Sequence, residues 1–469
     1  MEQIERIHLA SLRILEEVGV QLLDERALKL MSAVGAEVDW SDKRARMPRE
    51  LVMSAVAKAP SWFTVHGRNP RRHVEIGGGS MALAPVGGPC MVSSLDGGRR
   101  PGTFADQVNF IKLTHGSRLL DITYRCVEAH DLPAASRHLD FLLAAMLYSD
   151  KPLGAMSLDA VAAVDALKMA GMLLGGMDRL RDAPAVLAGV NVDSPLRFSK
   201  ETLETILAFA SLRQPLKITP FVSTGVMSPV TPAGALTQQN AELLAGVAIA
   251  ELAGPGTPVL YGSFGTRADM RTATPVFGGP GGVMMEVAAG QLARRYHLPH
   301  RGMGLVTSSP CVDSQAAMDK MNCLWGLSLS NVDLLLHAAG WLEGGLTASY
   351  EQFALDLEML EYMERFQGGL KVDDNALAFD AIAQVGPGGN YLMADHTLAC
   401  HREFAGISPL LETRPWDVWQ SAGAPSMLQR AHDLWTDKLN QYLQPPLDPG
   451  LEEALREYVT RRKREIEAN

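Results

Sequence analysis

The chain has 469 residues, 47% of them hydrophobic and 20% charged, with a net charge of −10. That size can bury two or three domains, or one large barrel with additions, and the balance is that of an ordinary soluble globular protein. The charge is dispersed, and the one basic cluster, Arg461-Arg-Lys-Arg464, alternates with acids as a solvated helix end does, which argues against a nucleic-acid partner.

No run of about twenty apolar residues exists, so no membrane span is expected. The charged start (Glu2, Glu5, Arg6) carries no secretory pattern. Five scattered cysteines (Cys90, Cys126, Cys311, Cys323, Cys400) form neither a disulfide framework nor zinc spacing. A cytoplasmic protein with reduced thiols and no bound metal is expected.

In chain order, residues 1–60 read as helical. Ile7, Ser11, Ile14 and Val18 share one face and Gly19 closes it; Leu22–Val34 and Pro48–Lys58 read as two more helices. Two β-like pieces follow, Trp62–His66 and His73–Ile76. Residues 1–80 are thus expected to cap one end of the main domain.

From Met81 a strand–helix rhythm sets in. The expected strands are Met81–Val86, Leu120–Cys126, Pro152–Leu158, Ala185–Val190, Leu216–Phe221, Val259–Ser263, His300–Val306 and Val332–Ala338. The helices between and after them are about Phe104–His115, Ala134–Tyr148, Ala160–Leu174, Lys200–Ser211, Ala233–Leu252, Val283–Tyr296, Gln315–Leu329 and Glu351–Arg365. Eight such units across residues 81–367 are the count of a (β/α)₈ TIM barrel. The rival, an open doubly wound sheet, lacks a GxGxxG after the first strand. Residues 368–469 lose the rhythm and read as a helical C-terminal extension packed on the barrel.

Side chains at the C-terminal ends of barrel strands share one mouth. Those positions are Tyr124 and Glu128, Ser157, Asn191 and Asp193, Phe221 and Thr224, Tyr261 and Phe264, Thr307 and Asp313, then His337, Trp341 and Glu343, with His396 available from the extension. The set is rich in rings and carboxylates and poor in cations. Ring faces and carboxylates attract a methylated cation while apolar walls accept its methyls; alternatively, the rings plug the barrel end as core. Gly278-Gly-Pro-Gly-Gly282 before a helix is either a nest of N–H groups for an anion or a tight turn. His337 is either a hydrogen-bonded core residue or a functional group. There is no P-loop, no GxSxG and no kinase signature.

Several segments carry a resemblance. Ile7-His-Leu-Ala-Ser-Leu-Arg-Ile-Leu-Glu-Glu-Val-Gly-Val20, Pro258-Val-Leu-Tyr-Gly262, Gly340-Trp-Leu-Glu-Gly-Gly345, Gly386-Pro-Gly-Gly-Asn-Tyr-Leu392 and Asp395-His-Thr397 are similar, collinearly over the whole chain, to the trimethylamine methyltransferase family. The resemblance implies a (β/α)₈ barrel that moves a methyl group from an amine to the cobalt of a corrinoid on a separate protein. The family archetype carries an in-frame pyrrolysine. This sequence has none, and so resembles the branch acting on quaternary amines such as glycine betaine.

On that reading Tyr124, Phe221, Tyr261, Phe264 and Trp341 surround the ammonium group. Glu343 or Asp313 supplies negative charge, and with His337 these form the candidate catalytic set. Gly279 and Gly281 of the glycine loop, or Arg267 or Arg271, take a substrate carboxylate. His396 and Asn191 face the corrinoid. The chain itself binds no cofactor; the corrinoid comes with a partner protein, and a homo-oligomer is expected. Two other classes remain open: a barrel lyase or hydrolase using Asp313, His337 and Glu343 as acid and base, and a non-catalytic betaine-binding protein.

Overall fold

Parallel segments close on themselves in chain order. The computed structural model describes residues 2–156, 159–404 and 408–468. Strands Val186–Val192, Leu216–Thr224, Val259–Gly262, His300–Gly302, Leu334–Leu335 and Ala82–Leu83 pair successively in parallel, and Leu153–Met156 pairs with Val186–Val192 from the other side. The remaining gap is filled by residues 121–124. Asp121 N–H donates to Leu83 O (2.7 Å), Thr123 N–H to Pro152 O (2.9 Å) and Gly154 N–H to Thr123 O (2.8 Å). The barrel is therefore closed, and the TIM-barrel expectation holds. Its strands are shorter than the apolar runs suggest: Leu120–Cys126 is joined by an isolated bridge at Thr123, and the expected strand end at residues 157–158 lies outside the described residues.

The helices follow their caps closely. Ala160–Leu174 starts on Asp159, whose side chain accepts from Ala162 N–H, and ends on left-handed Gly175. Lys200–Ser211 and Tyr350–Gln367 start on Ser199 and Ser349 in the same way. Pro232–Ala253 is buried on nearly every face, because helices Glu2–Arg13 and Arg49–Val56 cover the side that would otherwise meet water.

That packing corrects the N-terminal expectation. Residues 1–60 lie along the barrel's flank and are not all helical: Val20–Leu22, Glu37–Asp39 and Arg44–Arg46 form a small sheet with Arg197–Phe198. What caps the end is the hairpin Phe63–Val65 with Val74–Ile76. Phe63, Val65 and Ile76 pack into one buried cluster with Ala82, Ile122, Leu187, Leu260 and Leu334, the first inward residues of the barrel strands, and so close its base.

At the C-terminus, Met427–Asn440 packs on Tyr350–Gln367 and Pro449–Glu467 on Arg137–Tyr148. The last helix is tied by Asp165, which accepts from Tyr458 Oη (2.6 Å) and Arg462 Nε (2.9 Å). The stretch between behaves differently: Leu370, Phe379, Met393 and Trp416 remain in solvent. Among the described residues no helix is long and apolar enough to cross a membrane.

Candidate active site

At the upper end of the barrel the strands hand over to an antiparallel hairpin and a small mixed sheet. The hairpin is Phe264–Asp269 with Thr274–Val276, where the sequence suggests an irregular loop; the sheet joins Trp341–Leu342, Thr347–Ser349, Met91–Ser94 and Gly98–Pro101. They wall a cavity of about 920 Å³ that runs down into the barrel.

Strand Leu216–Thr224 sets the order of chemistry along the cavity. Alternate residues Lys217, Thr219 and Phe221 all line it, and two-residue steps in a strand are about 7 Å apart, so an amine, a hydroxyl and a ring follow one another from floor to mouth. At the mouth the rings of Phe221, Phe264, Phe277 and Trp341 converge. Phe221–Phe264, Phe277–Trp341, Phe264–Phe277 and Phe264–Trp341 centroids are 5.3, 5.6, 5.8 and 6.1 Å apart. The indole N–H is spent on Thr307 O (3.1 Å), which fixes the ring. Gly345, at φ 93°, makes room for it: a Cβ there would stand 2.5 Å from Trp341 Cη2.

His337 completes the cup, its ring 4.6 Å from that of Trp341 and 5.9 Å from that of Phe264. It sits at φ 62°, a backbone state that only surrounding structure can impose on a histidine. Gly87 N–H donates to its Nδ1 (3.1 Å), which leaves the proton on Nε2. Burial, with the nearby Arg301 charge, pushes its pKa well below the usual range. The neutral ring thus presents Nε2–H as a hydrogen-bond donor.

Glu343 is at the rim, also at positive φ, but its charge is already engaged. Burial opposes ionisation there, yet Arg99 (2.7 and 3.1 Å) and the Thr347 hydroxyl (2.6 Å) outweigh it and hold the carboxyl below its ordinary pKa. Tyr124 lines the cavity lower down; burial raises its phenol to about 12, and it accepts from Lys217 Nζ (2.7 Å). Asn191 is on the lining as well.

Several expected residues are elsewhere. Tyr261 faces outward into the helix layer, fully buried, donating to Asn240 Oδ1 (2.8 Å) and stacked on Tyr296. Strand Val259–Gly262 is apolar on both faces, so alternation gave no sign of which side Tyr261 takes. Tyr261→Phe is accordingly expected to leave ligand affinity unchanged and to cost about 1–3 kcal/mol of stability in urea titration, since Asn240 Oδ1 loses its donor. Asp313 is the N-cap of helix Ser314–Ser330, accepting from Ala316 N–H (2.8 Å) and Ser309 Oγ (2.9 Å). Arg271 is 88% exposed in its side chain and paired with Asp269. Gly279 and Gly281 begin helix Pro280–Arg295 behind the hairpin, where Gly281 abuts the Arg267 side chain; neither lines the cavity. His396 lies on the extension helix Asp395–Phe404 against Asn375 O (2.9 Å), also off the lining. Ser157 is outside the described residues.

Below the mouth the cavity is not poor in cations: Lys217 and Arg301, 4% and 2% exposed, line its floor. Burial, reinforced by the Arg301 charge, drives the Lys217 pKa well below its usual value; burial lowers Arg301 only to about 10, so it stays charged. The Arg301 guanidinium lies under Phe264, 5.2 Å from the ring centroid, and donates to Ser263 O (3.0 Å). Behind it Glu286 accepts from Ser263 Oγ (2.6 Å), and burial raises its pKa to about 7.

A carboxyl raised from 4.5 to about 7 by folding stabilises the fold below pH 4.5, and that contribution disappears as the pH climbs through 7. Subtracting the urea-midpoint profile of Glu286→Gln from that of the parent is expected to leave a decline confined to that window. Parallel profiles would show the carboxyl titrating normally.

Among the described residues no three His, Cys, Asp or Glu side chains gather as a metal site. Comparison with known proteins gives this geometry a setting. The profile of the trimethylamine methyltransferase (MTTB) family matches residues 1–467. A glycine betaine methyltransferase of Desulfitobacterium hafniense (strain Y51) is 35% identical over 99% of this chain and 97% of its own. A proline betaine:corrinoid methyltransferase of Eubacterium limosum is 28% identical over 97% of this chain and 96% of its own. Among solved structures, the hydroxylamine complex of MtmB superposes with a TM-score of 0.50 at 10% identity, covering 90% of this chain and 86% of that one, a likeness of fold. With the match running from the first helix to the last, the chain belongs to the trimethylamine methyltransferase family.

Proposed function

We propose that this protein is a methyltransferase that takes a methyl group from a quaternary amine, glycine betaine or a similar betaine, and delivers it to the Co(I) of a corrinoid carried by a partner protein. The observation that carries the reading is the cup of Phe221, Phe264, Phe277, Trp341 and neutral His337 at the open end of a barrel whose base is closed. Ring faces attract a desolvated methylammonium by up to about 2 kcal/mol, and the open end is where a large partner can approach.

Co(I) supplies the electron pair that forms the new bond to carbon. The C–N pair stays on nitrogen, which leaves as a neutral tertiary amine. The protein therefore needs no base and no acid; it holds one methyl in line and keeps water off the nitrogen. A pinned Glu343, a capping Asp313 and a neutral His337 suit that chemistry and count against an acid–base lyase or hydrolase.

Anaerobic incubation with cob(I)alamin and a panel of quaternary amines tests the proposal. Growth of the methylcobalamin absorbance together with the matching tertiary amine is the expected result. Turnover without any corrinoid, or amine binding without methyl transfer, overturns it.

A further inference from the structure

The cavity floor asks for an anion. Arg301 is charged and buried, and its Nε has no hydrogen-bond partner. Thr219, 3% exposed on the same lining, has an equally unpartnered Oγ1, and Gly262 leaves it the space it occupies. Lys217 spends one hydrogen on Tyr124. A buried charge without a close counter-ion is costly, so an anionic ligand that pairs with Arg301 from the cavity recovers free energy on binding.

We infer that Arg301, Thr219 and Lys217 form a carboxylate-binding floor that selects zwitterionic amines and sets their direction, acid end down and ammonium end up in the ring cup. This rests on the proposed function for the identity of the upper group and adds the lower one. The direction is the one methyl transfer needs, since a methyl at the mouth meets an incoming cobalt and a methyl at the floor does not. The same floor rejects simple cations. A choline-like amine would bring its charge close to Arg301, whereas a carboxylate at the floor neutralises that charge. The guanidinium, 5.2 Å from the Phe264 ring, sits within the span of a short amino-acid betaine.

The test is calorimetric binding to the protein alone, with no corrinoid, for betaines of increasing chain length, each paired with its methyl ester or alcohol counterpart. At least one betaine is expected to bind about 30-fold or more tighter than its counterpart. Arg301→Gln should reduce that ratio to a few-fold, and Thr219→Val, which keeps volume, should reduce it several-fold with the melting temperature little changed. If no betaine outbinds its counterpart, or if both variants keep the full ratio, the inference fails. The cobalamin assay keeps the two ideas apart. Methyl transfer from choline as efficient as from a betaine removes the floor and leaves the methyltransferase; selective betaine binding without any transfer does the reverse.

Discussion

Asp356→Ala is expected to destabilise the protein by about 3–5 kcal/mol, the range for removing one partner of a buried ion pair. Asp356 and Lys320 have no exposed side-chain surface and meet at 2.8 Å. The carboxylate also accepts from Gly340 N–H (2.8 Å) and Gln352 Nε2 (2.8 Å), and Lys320 also donates to Leu305 O (2.8 Å). Truncation strands the ammonium in a dry interior with a single carbonyl for company. Replacing both partners by apolar residues, as in Lys320→Met with Asp356→Leu, should restore much of the loss, because the price of isolating one charge disappears. A urea-denaturation double-mutant cycle reads this directly. Additive losses would show that the pair is not coupled. Gly340 immediately precedes Trp341, so the single variant should also loosen the cup.

Trp341→Ala and Phe277→Ala are each expected to weaken quaternary-amine binding by about tenfold to 30-fold, the equivalent of up to about 2 kcal/mol of desolvated cation–π contact. The effect should fall mainly on KM. As the methyl leaves, positive charge drains from nitrogen, so the rings hold the ground state more strongly than the transition state. Each truncation also opens a cavity among buried rings, and a melting curve must accompany the kinetics. Trp341→Phe, which retains a ring face, should recover most of the affinity. Unchanged KM in both alanine variants would remove these rings from the substrate site.

The helices were legible because their signals are local. Asp159, Ser199 and Ser349 each announce a helix start through a side-chain acceptor, and 3.6-residue spacing does the rest. The strand count was equally plain. Side-chain direction was not, since barrel strands are buried on both faces and show no polar alternation. That ambiguity placed Tyr261 in the mouth when it belongs to the helix layer. It also obscured Lys217 and Arg301, although lone cations within the apolar runs Leu216–Phe221 and His300–Val306 carried a usable signal. Phe277 lacks a signal for another reason: it reaches the cup from the turn after a hairpin, away from the barrel's strand ends.

The sealed base has a kinetic corollary. With Phe63, Val65 and Ile76 filling the lower opening, small molecules and the proposed protein partner approach the rings from the same upper end. A cobalt centre seated over the rings bars both arrival of fresh amine and departure of the spent one. Loading then precedes docking, and undocking precedes discharge. Such a compulsory order predicts that surplus partner slows turnover when amine is scarce, and that raising the amine concentration relieves it.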